Sequence, residues 1–155
     1  MIDSIRQVLV DEDATRELGL QLASALTPGR ILLRGDLGAG KTSLARSIVN
    51  GLGHLGRVKS PTYTLVEDYT QTRIPVRHWD LYRIADPEEL DALGMRDAES
   101  QPHLMLVEWP ERAGDWLRSF DLSIHLHYRG DGREAELRAG SETGVHWLST
   151  ISGVH

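Results

Sequence analysis

Residue patterning alone makes this chain an α/β protein, a single domain whose mixed, partly parallel sheet is flanked by helices and carries antiparallel hairpins. Three features carry that expectation. Arg30-Ile31-Leu32-Leu33-Arg34 is a short apolar run ending directly on a glycine-rich loop, and residues with helical spacing follow the loop, giving the order strand, turn, helix. His103-Leu104-Met105-Leu106-Val107-Glu108 is apolar at consecutive positions, as a central strand covered on both faces has to be. Segments of period-two alternation, β-branched and aromatic, sit around short polar turns, the pattern of antiparallel pairs.

In chain order, Ile5 to Val10 is the first strand, and Asp11-Glu12-Asp13 opens a helix in which Leu18, Leu22 and Leu26 recur every fourth residue. Thr27-Pro28-Gly29 ends it. The strand at 30–34 and the glycine loop follow, and then a helix from Thr42 to Val49 with Leu44, Ile48 and Leu52 on one stripe, stopped by Gly51 and Gly53. Thr62 to Tyr69 and Ile74 to Tyr82 form a hairpin across the polar Thr70-Gln71-Thr72-Arg73. Asp86-Pro87-Glu88-Glu89 begins a short helix, with a capping Asp, Pro at the first helical position and an acid at the third; Gly94 closes it. Leu122, Ile124, Leu126 and Tyr128 alternate with polar residues, Gly130-Asp131-Gly132 turns, and Arg133 to Ala139 returns as a second hairpin or an edge pair. The segment from Ser141, with Val145, Trp147, Leu148 and Ile151, reads as a loose amphipathic tail over 141–155, anchored by Trp147.

At 155 residues the chain is one domain, residues 1–155, long enough for a real core and short for a second domain. Apolar content of 40% and charged content of 26% describe an ordinary soluble protein. No apolar stretch approaches the roughly 20 residues that span a membrane, and no signal-like N-terminus stands out. Zero cysteines leave no disulfide, thiol nucleophile or thiolate metal site, so a cytoplasmic location is expected. A net charge of −6 argues against extensive binding to nucleic-acid backbones. Arg73, Arg77, Arg83, Arg96 and Arg112 in the middle third are either a local basic patch or scattered solvated charges.

Gly35-Asp36-Leu37-Gly38-Ala39-Gly40-Lys41-Thr42 fits the phosphate-binding pattern G-x-x-x-x-G-K-[ST]. Gly35, Gly38 and Gly40 allow positive φ and a close backbone approach, so successive N–H groups of Leu37, Ala39 and their neighbours can face phosphate oxygens. The helix begins at once, through Ser43, and its dipole favours an anion there. Lys41 is then placed for the β- and γ-phosphates and the Thr42 hydroxyl for Mg²⁺. The fold expectation sharpens to a P-loop NTPase-like domain.

Hydrolysis also needs an acid at the metal and a group to orient water. Glu108 follows four apolar residues, the hydrophobic-run-then-acid form of a Walker B strand, whose carboxyl end faces the ligand crevice in an α/β sheet. Asp80 ends the run Val76-Arg77-His78-Trp79 and is a weaker candidate of the same form, with turn or cap duty as its other reading. Ser60-Pro61-Thr62-Tyr63-Thr64 is placed like a switch segment, with Ser60, Thr62 and Thr64 as its hydroxyls; a turn feeding a strand is the alternative.

The loop, then Ser60-Pro61-Thr62-Tyr63-Thr64-Leu65-Val66-Glu67-Asp68-Tyr69, then His78-Trp79-Asp80-Leu81-Tyr82-Arg83, then Glu108-Trp109-Pro110-Glu111 together resemble the TsaE family, small bacterial ATPases of the pathway that makes threonylcarbamoyladenosine in tRNA. The four blocks occur in the family's order and span most of the chain. The resemblance implies ATP and Mg²⁺ as cofactors, Lys41, Asp80 and Glu108 as catalytic residues, and Thr42 and Glu108 at the metal. It implies Trp109 close to the nucleotide, Arg133 approaching base or ribose, and Asp11 bordering the same pocket. It also implies TsaD and TsaB proteins as partners, with ATP turnover resetting the tRNA-modifying complex and little direct contact with nucleic acid. Trp79 stands where the family's Phe is expected, a larger apolar residue.

Other functions remain at this point. A small-molecule kinase would use Asp80-Leu81-Tyr82-Arg83 as an acceptor motif, although no arginine-rich lid segment follows. A GTPase would need an N-K-x-D motif, and the single asparagine, Asn50, lies inside the loop's helix. A non-enzymatic docking module would bind nucleotide without needing Glu108. His125 and His127 share a strand face but lack a third metal ligand and read as solvated side chains on an edge strand.

Overall fold

A computed structural model describes residues 2–61, 63–95 and 101–153. Seven strands form one mixed sheet: β1 Ser4–Leu9, β2 Gly29–Gly35, β3 Val66–Tyr69, β4 Val76–Asp80, β5 Leu104–Glu108, β6 Leu122–Arg129 and β7 Gly132–Ala139. Their spatial order is β1-β7-β6-β2-β5-β4-β3. The four inner strands β6, β2, β5 and β4 run parallel, and the antiparallel pairs β1/β7, β6/β7 and β3/β4 lie at the two margins. The α/β architecture is therefore as the residue pattern implies, with parallel strands where the apolar runs are and hairpins where alternation is.

The two faces carry two cores. Ile31 and Leu33 of β2 and Leu104 and Leu106 of β5 face the helices α1 (Glu12–Ala25) and α2 (Lys41–Gly51), packed with Leu18, Leu22, Leu44 and Ile48. Their neighbours Leu32, Met105 and Val107 point the other way, onto Trp79, Leu81, Ile84, Leu90 and Leu117. Consecutive apolar residues in β2 and β5 are thus each buried, on alternate sides. Trp79 is wholly buried in the second cluster, so the larger ring has been absorbed by the core.

Several boundaries differ from expectation. The first hairpin's leading strand starts at Val66 rather than Thr62, because Leu65 takes a left-handed φ of 69°, a conformation incompatible with extended pairing. The helix after Asp86 shrinks to one turn, α3 Glu89–Ala92, while Asp86 Oδ1 still accepts from the Glu88 N–H at 3.0 Å. The pair β6/β7 is the second hairpin rather than an edge pair, since β1 adds outside β7; His125 and His127 therefore lie on an interior strand, rings stacked at 3.9 Å with both residues solvent-exposed. Partial desolvation of the stacked ring, with His127 adding to it, pushes the His125 pKa below 6.5. Arg96, one of the five central arginines, and Thr62 lie outside the described residues.

The segment from Ser141 is a docked helix, α4 Glu142–Ser152, rather than a loose one. Ser141 Oγ caps it by accepting from the Gly144 N–H at 3.1 Å, and Trp147 is fully buried with Nε1 donating to Thr27 Oγ1 at 3.0 Å. A Cβ at Gly144 would fall 1.8 Å from the Asp121 carbonyl oxygen, so only glycine lets this helix approach the sheet so closely. Packing outweighs the segment's weak helix formers.

The same device joins α1 to α2. A Cβ on Gly19 would lie 2.3 Å from Ser47 Cβ, and one on Gly51 would lie 2.6 Å from Ala23 Cβ. In an ordinary helix interior Gly to Ala gains about 1 kcal/mol. Here Gly19→Ala should instead destabilise the fold by about 1–3 kcal/mol through overpacking, read by urea unfolding. A gain in stability would show that the two helices are not in this contact.

Candidate functional site

Parallel register gathers the site at the carboxyl end of the sheet. Leu33 of β2 pairs with Glu108 of β5, and Glu108 pairs with Asp80 of β4. The glycine loop leaves β2 at Gly35 beside them, with φ of 148°, 80° and 105° at Gly35, Gly38 and Gly40. Gly40 is the residue immediately before α2.

The β6–β7 hairpin grips the outside of the loop. Tyr128 Oη donates to the Leu37 carbonyl at 2.8 Å. Arg133 donates from Nε to the Ala39 carbonyl and from Nη2 to the Gly38 carbonyl, each at 3.2 Å, with its guanidinium 4.2 Å from the centroid of the Tyr128 ring. In a trans peptide the carbonyl and the next N–H point oppositely, so tying these carbonyls turns the Gly38 and Gly40 N–H groups away from the hairpin. The Ala39 N–H donates across the turn to the Asp36 carbonyl at 3.0 Å.

Inside the loop, Lys41 Nζ donates to the Gly35 carbonyl and, at 3.1 Å, to the Asp36 carbonyl. It lies 3.9 Å from the Trp109 ring centroid, a cation–π distance. Burial pushes the Lys41 pKa below its ordinary 10.5, against the pull of the carboxylates of Glu108, Glu111, Asp80 and Asp36. Trp109 itself sits at φ 57°, ψ 50°, a left-handed conformation costing a bulky residue roughly 1–2 kcal/mol. Such strain concentrates at ligand sites.

Thr42 Oγ1 donates to Glu108 Oε1 at 2.8 Å. The other carboxylate oxygen of Glu108 is 2.7 Å from His78 Nε2, and both residues are buried. His78 stands at the head of the family block 78–83 but carries no role in the sequence reading; its spacing two residues before Asp80 is the signal that it shares the acid's face. Asp80 Oδ1 accepts from the Tyr82 N–H at 3.0 Å, and the Asp80 N–H donates to the Leu65 carbonyl at 2.9 Å. Asp80 therefore does have turn duty, while its carboxylate also lines the site.

Two clefts meet across the loop. One, of about 310 Å³, is lined by Gly38, Lys41, Thr42, Asp80, Glu108 and Trp109 among others; the second, of about 260 Å³, by Asp11, Thr15, Ser43, Asp131 and Arg133, and both share Gly38, Gly40 and Ser43. Asp11 reaches this second cleft while capping α1, its Oδ1 accepting from the Ala14 N–H at 2.9 Å. Of the switch-like hydroxyls, Thr64 Oγ1 donates to Glu67 Oε1 at 3.1 Å, and neither Ser60 nor Thr64 lines a cleft; Thr62 lies outside the described residues.

The donor set suits a hard cation. Thr42 and Glu108 offer oxygen only, already within one hydrogen bond of each other, and Mg²⁺ keeps waters and takes one or two protein ligands plus phosphate oxygens. Among the described residues no group of three or more His, Cys, Asp or Glu side chains is arranged to cage a metal, which a Mg²⁺ site shared with a nucleotide does not require.

Residues 9–136 match the family described as threonylcarbamoyl adenosine biosynthesis protein TsaE. The chain is 41% identical to the tRNA threonylcarbamoyladenosine biosynthesis protein TsaE of Haemophilus influenzae, over 97% of this chain and 99% of that one. The identically named proteins of a Nostoc species and of Bacillus subtilis are 39% and 34% identical, over 88% and 79% of this chain and 87% and 77% of theirs. The crystal structure of Bacillus subtilis YdiB superposes with a TM-score of 0.83 at 25% identity, covering 99% of this chain and 97% of the other.

If the hairpin orients the loop, Tyr128→Phe should release the Leu37 carbonyl at a local cost of about 1 kcal/mol. Hydrogen exchange at the Ala39 amide should then accelerate roughly fivefold, with the global unfolding midpoint little changed. Unaltered exchange would show the grip to be incidental.

Proposed function

The chain belongs to the TsaE family, and from that premise we propose that it is an ATP-binding, Mg²⁺-dependent ATPase subunit required for threonylcarbamoyladenosine modification of tRNA, acting with TsaD and TsaB proteins in the cytoplasm. The observation that carries this reading is the Thr42–Glu108 hydrogen bond at the mouth of the glycine loop, which joins the loop's hydroxyl to the acid ending β5.

The inward N–H groups of the loop hold the phosphates, and Lys41 exchanges the Gly35 and Asp36 carbonyls for β- and γ-phosphate oxygens. Base and ribose take the side of the loop bordered by Asp11 and Arg133. Thr42 and Glu108 hold Mg²⁺, which when bound neutralises charge developing on the phosphates. Asp80, beside Glu108 in register, is the second carboxylate available to orient water. Trp109 covers the cleft and keeps Lys41 partly dry. The absence of an N-K-x-D asparagine supports adenine over guanine.

Partner dependence follows from the arginines. Arg83 lines the cleft, yet its guanidinium is stacked 4.7 Å from the Tyr63 ring centroid, and that of Arg112 lies 5.7 Å from that of Tyr82. An arginine positioned in a complex raises P-loop turnover by roughly 10³ to 10⁵. The acidic net charge, −6, suits protein partners better than tRNA. No described helix is long and apolar enough to cross a membrane.

Turnover by the purified chain should be feeble and rise steeply when TsaD and TsaB are added; equal rates with and without them would sink the proposal. Lys41→Ala should lose ATP outright. Glu108→Ala should keep ATP, though more weakly, while turnover falls at least about a hundredfold and tRNA modification stops. Modification that persists in Glu108→Ala would instead favour a non-catalytic docking role.

A further inference from the structure

His78 lies beneath the acid end of the site. On β4 it pairs with Leu106 while Asp80 pairs with Glu108, so strand alternation puts His78, Asp80, Leu106 and Glu108 on one face. The ring is 0% exposed and lines neither cleft. Its Nε2 is 2.7 Å from Glu108 Oε2, and its Nδ1 has no hydrogen-bond partner among the described residues. With hydrogen on Nε2 the ring donates to the carboxylate and leaves only a lone pair unmatched at Nδ1, the least costly way to bury it.

Glu108 is thus gripped from opposite sides: Oε2 by a buried ring, Oε1 by the Thr42 hydroxyl. The two grips are not equivalent. Thr42 lines the cleft, where a ligand would meet it, whereas the ring lines neither cleft. We propose that His78 is a positioning residue for Glu108, its Nε2–H fixing Oε2 so that Oε1 stays directed at Thr42 and the cleft. This rests on the reading that Thr42 and Glu108 hold Mg²⁺ with bound ATP. Outer partners of this kind typically change metal affinity about 10- to 100-fold when removed.

The side chains that separate positioning from packing are Gln, Asn and Leu. Glutamine carries its amide nitrogen about where Nε2 stands; asparagine reaches only the Nδ1 position; leucine fills space without a donor. ATP affinity is measured by calorimetric titration of the full chain in EDTA and across a Mg²⁺ series. In EDTA, His78→Gln, His78→Asn and His78→Leu should match wild type. The Mg²⁺ concentration that half-saturates the tightening of ATP should rise about 10- to 100-fold in the Asn and Leu variants and return to within a few-fold of wild type in Gln. Should the leucine variant not fold, the contrast between Gln and Asn, both polar amides of which only Gln reaches the Nε2 position, decides alone. Wild-type Mg²⁺ dependence in the Asn variant, or a Gln variant as impaired as Asn, overturns the role of His78 and leaves the ATPase reading intact. A wild-type chain whose ATP binding ignores Mg²⁺ overturns the metal reading and this inference together.

Discussion

The parallel register of β2, β5 and β4 is the constraint on which the site depends. It sets Leu33, Glu108 and Asp80 side by side and releases the chain at Gly35 two residues further on, so that loop, acid and second acid arrive at one end of the sheet without any side chain reaching far. Burial of both sheet faces holds that register. A slip of one residue in β5 would turn Leu104 and Leu106 out of one core and Met105 and Val107 out of the other, and would carry Glu108 to the face away from Thr42.

Around that frame, polar groups are used sparingly and in pairs. Glu108 enters a buried position with both oxygens met, by Thr42 and by His78. Lys41 enters another with two carbonyls and an aromatic face. The loop between them is held from behind by Tyr128 and Arg133. Both buried charges therefore have polar partners, although at Lys41 desolvation still outweighs the neighbouring carboxylates. Leu65 joins this network through its carbonyl, which accepts from the Asp80 N–H.

Much of this was legible in the residues. The β2 strand, the loop and α2 follow from an apolar run ending on glycine and a stripe of apolar residues at every fourth position beyond it, and β5 from four consecutive apolar positions before Glu108. What stayed hidden was set by contacts distant in sequence. Helix α4 exists because Trp147 finds Thr27, 120 positions earlier, and because Gly144 fits against Asp121; its own residues favour helix weakly. The late start of β3 follows from a positive φ at Leu65, which no leucine announces. The family likeness implies Arg133 at base or ribose; in the structure Arg133 lines the second cleft and its hydrogen bonds run to the carbonyls of Gly38 and Ala39, a pairing that strand alternation cannot foretell. His78 was passed over because a histidine inside an alternating strand looks like any half-buried polar residue.

The missing side chains at Gly19 and Gly51 have a mechanical consequence. Both bring α1 and α2 to near backbone contact, at the middle of α2 beside Ser47 and at its end beside Ala23, so α2 can neither slide nor roll against α1 without collision. Since α2 begins at Lys41, the helix that carries Lys41 and Thr42 is braced against α1 along its second half. On the proposed reading, movement between nucleotide states would fall to chain outside that helix, at the end of β4 and the strained turn at Trp109.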